Sequence, residues 1–367
     1  MISIENLSKQ YGATTVVDRI SMSVERHSIT VIVGTSGSGK STLLRMINRL
    51  VEPTHGRVLI DGRDTASEPA HLLRRRIGYV IQGHGLFPHR TVEENIATVP
   101  RLLGWDGARM RTRVEELLEI FGLDPGAFAQ KFPHELSGGQ QQRVGVARAL
   151  AAAPAVLLMD EPFGALDPII RTKAQDDLLD IQRRFGTTIV LVTHDIDEAF
   201  RLGHRVAVMS QGRVLQVASP RALYEAPNCR EVADFIGTMN FFEGTTAWVE
   251  GNTITADAGA AGRLRVANAP EFARKMGAHV LLAVRPEKMA LALTGAGTAS
   301  SENRLSGMLM AAAYLGERSH FQVRVEGMKE PIAVAAQNEG PEPAAHLTGA
   351  PVTLTWPPNA MIVLPSA

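Results

Sequence analysis

One cysteine, Cys229, stands in the 367 residues, so no intrachain disulfide framework is available and the chain suits a reducing compartment. Neither sign of charge is in excess, with 38 Lys and Arg against 38 Asp and Glu. Bulk charge therefore gives no argument for nucleic acid or anionic lipid, and no nucleic acid is expected among the partners. Long apolar runs are missing as well. The longest covers about eleven residues, Ala149–Met159, and Pro154 interrupts it, whereas a membrane span needs ~18 or more. No basic-then-apolar leader opens the chain; "MISIENLSKQYG" reads as a first strand and turn. The histidines show no HExxH or comparable spacing, so no structural metal is expected. These absences leave a soluble, cytoplasmic chain as the expectation. What is present is a 45% hydrophobic content, enough for a sizeable core, in a length that suits two domains of ~100–200 residues each.

Residues 1–237 alternate short apolar runs with helical patterns, which predicts an α/β domain with a parallel sheet covered by helices. The key runs are "ITVIVG" (29–34), "IGYVIQ" (77–82), "AVLLMDE" (155–161) and "TIVLVTHD" (188–195). Between the second and third, residues 83–154 read as an inserted helical subdomain. There Thr91 and Glu94 form a capping box ahead of Val92, Ile96 and Val99, which share one face before Pro100. Met110, Val114, Leu117, Leu118 and Phe121 form a second apolar stripe. From 238 to 367 the pattern changes to short alternating segments, such as "VLLAVRPEKM" (280–289), "RLSGMLMAAAYLG" (304–316) and "HFQVRVEG" (320–327). Loop-like "TGAGTASSEN" (294–303) lies among them, and the whole predicts a small all-β barrel of the oligomer-binding type.

"GTSGSGKST" (34–42) follows an apolar strand and precedes the helix "STLLRMINRL", which is the context of a P-loop. Backbone N–H groups of Gly34, Thr35, Ser36, Gly37, Ser38 and Gly39 can wrap phosphates. Lys40 adds a point charge near the β/γ oxygens, Ser41 can ligate Mg²⁺, and Thr42 completes the segment. "AVLLMDE" ends a strand on two carboxylates: Asp160 suits a direct or water-mediated Mg²⁺ contact, and Glu161 is placed to take a proton from an attacking water. Gln82 and His194 close two further strands, and ligands of open parallel sheets sit beyond such ends. Together these groups predict a nucleotide triphosphatase. "HELSGGQQQRVGVARAL" (134–150) is a second glycine-led helix start, with Ser137 as N-cap, Gln140 closing a capping box, and Gly138 and Gly139 leaving N–H groups bare for an anion.

The ordered set of P-loop, Gln82, "LSGGQ" (136–140), "LLMDEP" (157–162), "GALD" (164–167) and His194 resembles the nucleotide-binding subunit of an ATP-binding cassette (ABC) transporter over about 230 residues. The resemblance implies a P-loop NTPase fold, ATP and Mg²⁺ as cofactors, and Glu161 as catalytic base. It also implies His194 as the γ-phosphate contact, Gln82 touching Mg²⁺ and water, and Tyr11 stacking on adenine. By the same resemblance Ser137, Gly138, Gly139 and Gln140 cap the ATP of a second copy. A homodimer then holds two ATPs head to tail, with Asp167 across the interface. The implied partners are integral membrane permease subunits, gripped near Leu86, Phe87 and Pro88 at the cytoplasmic face of the membrane, and indirectly a periplasmic or lipid-anchored solute-binding protein.

"LFPHRTVEENIATVPRLLGW" with "THDIDEAFRLGHRVAVM" (193–209) is similar to ATPases of osmoprotectant importers, which carry glycine betaine, choline or carnitine. The tail departs from them. "DFIGTMNFFEG" (234–244), "VRPEK" (284–288) and "YLGERSHFQVRVEG" (314–327) resemble the transport-associated OB-type (TOBE) domain that accompanies polyamine, ferric iron, sugar and molybdate importers. Osmoprotectant cargo is the first expectation, with polyamine or ferric iron as the alternative. A non-transport ABC protein and a regulatory ligand sensor are the readings from other classes.

Overall fold

The computed structural model describes residues 1–83, 85–164, 166–293, 303–338 and 348–365. The expected loop 294–303 thus lies outside the described residues except for Asn303, as do His84 and the Ala165 of "GALD". The chain divides into two compact units, Met1–Leu223 and Tyr224–Ala367.

The first unit holds two sheets. β1 (Ile2–Tyr11) and β2 (Thr14–Val24) form a hairpin that turns at Gly12, where φ is +58°. With β3 given to Ile29–Gly34, β4 (His55–Ile60) and β5 (Arg63–Asp64) complete an antiparallel sheet of order β2-β1-β4-β5. Only its first strand is read in the sequence. The remaining strands are β6 (Ile77–Val80), β7 (Val156–Asp160), β8 (Thr188–Thr193), β9 (Arg205–Ser210) and β10 (Arg213–Ala218). They join β3 in a second sheet of order β10-β9-β3-β8-β7-β6, parallel except for the β9–β10 pair. Every residue of β3, β7 and β8 is buried, as a parallel strand covered on both faces requires. Helix α1 (Lys40–Ile47) buries Leu43, Leu44, Met46 and Ile47 in one core with Ile2, Ile4 and Leu7 of the antiparallel sheet and Ile32, Leu158 and Val190 of the parallel one.

Short α2 (Ala70–Arg75) precedes β6, and the segment between β6 and β7 is helical throughout its described regular structure. It contains α3 (Val92–Ile96), α4 (Thr98–Leu102), α5 (Gly107–Ile120), α6 (Pro125–Phe128) and α7 (Gly138–Leu150). The Thr91–Glu94 capping box opens α3, and Val114, Leu117, Leu118 and Phe121 are buried as their spacing predicts. The first stripe is broken differently: α3 stops at Ile96 and α4 restarts at Thr98, because Pro100 has no N–H to return to the Ile96 carbonyl. α8 (Pro168–Phe185) and α9 (Ile196–Leu202) flank β8. No helix among the described residues is long and apolar enough to cross a membrane.

The expected division at 237/238 differs from the observed one, which falls within α10 (Pro220–Glu225). The reason is packing inside the second unit. α11 (Arg230–Ile236) sets Ala233 against Leu281, Ala283 and Leu364, and buried Arg285 donates to the carbonyls of Gly237 at 2.8 Å and Thr238 at 3.3 Å.

Two antiparallel five-stranded sheets follow. The strands are β11 (Asn240–Glu250), β12 (Thr253–Asp257), β13 (Arg263–Val266), β14 (His279–Val284), β15 (Ala290–Leu293), β16 (Asn303–Tyr314), β17 (Arg318–Arg324), β18 (Ile332–Gln337), β19 (Pro351–Trp356) and β20 (Met361–Leu364). Their orders are β13-β12-β11-β14-β20 and β15-β19-β16-β17-β18. β14, β16 and β17 occupy the three alternating segments read in the sequence. Both sheets feed one core, where the rings of Phe242 and Trp356 stack with centroids 6.1 Å apart. Trp356 Nε1 is buried without a hydrogen-bond partner among the described residues. Trp356→Ala is expected to destabilise this unit by about 3–5 kcal/mol. Trp356→Phe should cost less, since an unpaired buried N–H leaves with the indole. Urea denaturation of the full chain, followed by circular dichroism, measures both.

Candidate active site

β3, β8, β7 and β6 are adjacent and parallel, with Val33 beside Thr193, Val192 beside Asp160, and Met159 beside Val80. The loops leaving their C-terminal ends therefore emerge side by side, about 4.8 Å from strand to strand. Four sequence segments far apart in the chain meet along this one edge, where open parallel sheets hold their ligands.

The loop after β3 is held closely by its neighbours. A Cβ on Gly34 would lie 2.1 Å from the Met209 carbonyl oxygen, and one on Gly39, at φ +97°, would lie 2.5 Å from that of Val16. Thr35, Ser36 and Gly37 stay exposed, whereas Ser38 and Lys40 are buried. Lys40 Nζ donates to the carbonyls of Gly34 and Thr35, both at 2.8 Å, and to Ser38 Oγ at 3.4 Å. Burial lowers its ammonium below the ordinary lysine range, with the Glu161 and Asp160 carboxylates pulling the other way. The loop thus carries a fixed cation beneath exposed backbone, which is the chemistry of a phosphate cradle.

Ser41 Oγ, on the first turn of α1, donates to Asp160 Oδ1 at 2.8 Å. Asp160 is 1% exposed, and its Oδ2 accepts from Arg45 Nη2 at 3.3 Å. Tyr79 lies beside Arg45 and raises the guanidinium pKa, while burial raises that of the phenol. Arg45 and Tyr79 were not anticipated as part of the site. Their signal was available: Arg45 is four residues after Ser41 and so shares its helix face.

Glu161 turns away from Asp160. Its φ is +45°, sparsely populated for a residue with a side chain, and its N–H donates to the Val192 carbonyl at 2.9 Å. Its carboxylate accepts from Gln82 Nε2 at 3.2 Å on one oxygen and lies 3.6 Å from His194 Nδ1 on the other. His194 follows β8 directly, but Gln82 is two residues past β6 rather than the strand's last residue, as the sequence predicts. The arrangement sets a carboxylate between an amide and an imidazole, at the strand edge that carries the Lys40 loop. It can accept a proton from a water held there.

Other anticipated residues lie elsewhere. Tyr11, 51% exposed, ends β1 in the antiparallel sheet with Lys9 Nζ 4.9 Å from its ring centroid. Val16, on the next strand of that hairpin, touches Gly39. The capping box of Ser137 and Gln140 opens α7, with Ser137 and Gly138 exposed and Gly139 against Ile170. This start belongs to a helix packed on α3, β6 and α8, and no contact recorded among the described residues joins Ser137 or Gly138 to Lys40, Glu161 or His194. Asp167 is exposed, and its Oδ1 accepts from the N–H groups of Ile169 and Ile170, both at 3.1 Å, capping α8 within its own chain.

The loop after Gln82 has an organiser that sequence reading missed. Asn95 is fully buried, accepts from the Phe87 N–H at 2.8 Å, and donates to the carbonyls of Phe87, Arg90 and Thr91 at 3.0–3.1 Å. Leu86 is half-buried, whereas Pro88 and Phe87 are exposed; the guanidiniums of Arg90 and Arg148 lie 4.8 and 5.5 Å from the Phe87 ring centroid. A polar residue between Val92 and Ile96 on an apolar stripe was the available signal. Asn95→Leu strands several backbone groups, for an expected cost of about 2–4 kcal/mol. Chemical denaturation gives the cost, and limited proteolysis should cut residues 86–91 faster than in the wild type.

With this geometry in place, comparison with known proteins is specific. The sequence model described as "ABC transporter" matches residues 17–164, and that of the "TOBE domain" matches residues 282–364. The osmoprotectant import ATP-binding protein OsmV of Salmonella typhimurium is 52% identical over 242 residues, 65% of this chain and 63% of that protein. The match therefore spans less than two thirds of that relative's length. The glycine betaine uptake ATP-binding protein YehX of Escherichia coli is 51% identical over 65% of this chain and 77% of its own. The spermidine/putrescine import ATP-binding protein PotA of Thermobifida fusca is 39% identical over 99% of this chain and 93% of its own. Among solved structures, cbiO1 of Clostridium perfringens, part of an ABC transporter complex, aligns with 32% identity and a TM-score of 0.57 over 60% of this chain and 89% of its own. A dimeric bacterial ABC transporter cassette aligns with 36% identity and a TM-score of 0.55 over 60% of this chain and 99% of its own.

Proposed function

The chain belongs to the ATP-binding proteins of the ABC transporter family, and from that premise we propose that it is the ATP-hydrolysing subunit of a bacterial importer. The observation that carries the reading is the meeting of Gln82, Glu161 and His194 beside the Lys40 loop, at the ends of adjacent parallel strands. In this reading the N–H groups of residues 34–39 and the Lys40 ammonium bind the ATP phosphates, and Thr42 lies at the loop's end. Gln82 and His194 hold Glu161 and the attacking water in place. Glu161 takes the water proton as oxygen bonds to the γ-phosphorus and the bond to the bridging oxygen breaks, leaving ADP and phosphate. Tyr11 stacks on the base from the neighbouring hairpin.

The donors near Ser41 fit Mg²⁺. Ser41 Oγ and Asp160 Oδ1 are hard oxygens 2.8 Å apart with a single negative charge between them, and in this reading the Gln82 side chain is the third ligand. Such a set suits an ion that keeps its waters and shares ligands with a triphosphate. Bound there, Mg²⁺ would offset phosphate charge. Among the described residues no group of three or more His, Cys, Asp or Glu could hold a metal on its own.

The exposed, glycine-led start of α7 supports a homodimer in which Ser137, Gly138, Gly139 and Gln140 complete the partner copy's ATP site, with Asp167 at the interface. The load is a permease, met by the Phe87 loop at the cytoplasmic face of the membrane, with a solute-binding protein acting on the other side. The cargo best supported is an osmoprotectant such as glycine betaine or choline, from about half identity to OsmV and YehX. Polyamine is the second reading, favoured by the match to PotA over nearly the whole chain.

Glu161→Gln should lower kcat by roughly 10²–10⁴-fold while ATP-bound dimers accumulate in size-exclusion chromatography. Lys40→Ala should instead weaken nucleotide binding itself. Wild-type turnover no faster than that of Glu161→Gln would end the ATPase reading. Uptake of labelled glycine betaine against spermidine, in cells lacking and then regaining the chain, decides the cargo.

A further inference from the structure

The loop that carries His194 is clamped from both sides. Thr193 Oγ1 donates to Glu198 Oε2 at 2.7 Å and accepts from the Asp195 N–H at 3.1 Å. Asp195 Oδ1 caps α9, accepting from the N–H groups of Asp197 at 2.9 Å and Glu198 at 3.1 Å. Both carboxylates also face one cation on another element. Arg171, in the first turn of α8, places Nη1 3.5 Å from Asp195 Oδ2 and Nε 4.0 Å from Glu198 Oε1. Its Nη2 donates to the Leu166 carbonyl at 3.1 Å, in the loop that leads from Glu161 to Asp167.

One guanidinium therefore ties the loop after β7 to the loop after β8. A guanidinium addresses these groups from three separate nitrogens in one plane, a span that a single lysine ammonium does not have. The preceding residue, Ile170, lies against Gly139, so the same turn of α8 also meets the start of α7. Glu198 is buried, which raises its carboxyl above the ordinary range while Thr193 and Arg171 pull it down. That site tolerates little rearrangement without its cation.

We propose that Arg171 is a positioning residue for the hydrolytic step, holding the His194 loop in register with the Leu166–Asp167 loop so that His194 and Glu161 address the same phosphate. The proposal rests on the ATPase reading above. Arg171 acts on neither nucleotide affinity nor proton transfer; its partners are Asp195, Glu198 and the Leu166 carbonyl.

Two substitutions in the full chain test it. Asp195→Asn keeps an oxygen to cap α9 but removes the charge that Arg171 meets, and Arg171→Lys keeps a cation for Glu198 but loses the fork. Each should lower kcat about tenfold, with the affinity for a fluorescent ATP analogue within about twofold of wild type and an unshifted melting temperature. The double variant should be little slower than the slower single one, because both remove the same tie. Turnover near wild type in either single variant, multiplying effects in the double, or a loss of nucleotide affinity that accounts for the rate would each overturn the proposal. A wild type no more active than Glu161→Gln overturns the ATPase reading itself; an active wild type matched by these variants overturns only the role of Arg171.

Discussion

Parallel pairing of β3, β8, β7 and β6 is the constraint on which the site depends. A parallel pair cannot be closed by a tight turn, so each strand is reached by a crossover and each C-terminal end opens onto the same edge. The Lys40 loop, His194, Glu161 and Gln82 come from separate crossovers and meet because their strands are neighbours. Burial of these strands makes the edge rigid, and the helical segment between β6 and β7 can be long because it leaves and re-enters through adjacent strands.

Along that edge charge is divided with care. Asp160 and Glu161 are consecutive, yet the positive φ of Glu161 separates their surroundings. Asp160 is buried and engaged by Ser41 on one oxygen and Arg45 on the other. Glu161 is less enclosed and meets an amide and an imidazole. The strained backbone at Glu161, held by its bond to Val192, is what gives two adjacent acids two different sets of partners.

The second unit is built on other physics. Its two antiparallel sheets share one aromatic and aliphatic core, and the buried Arg285 draws the α11 end onto that unit through backbone carbonyls. This is why the division falls before α11 rather than after it. The sequence shows an apolar helix followed by strands, and only the contacts of Ala233 and Arg285 tell to which side the helix belongs.

Local chemistry was legible in the residues themselves. The P-loop, both capping boxes, the buried strands and the residue types at their ends follow from spacing and from the side chains' own properties, because a cap or a glycine turn is decided within a few residues. The antiparallel sheet was mostly missed, since short alternating strands carry a weak signal and their pairing lies in distant partners. Asn95 and Arg45 were missed for a related reason: a buried polar side chain matters through the groups it meets, and those come from other turns and strands. The sequence by itself thus determined which chemical groups the protein owns and which short structures carry them. The tertiary structure alone decided which of those groups face one another, because strand order and crossover packing, not chain distance, bring Gln82 and His194 against the Glu161 carboxylate.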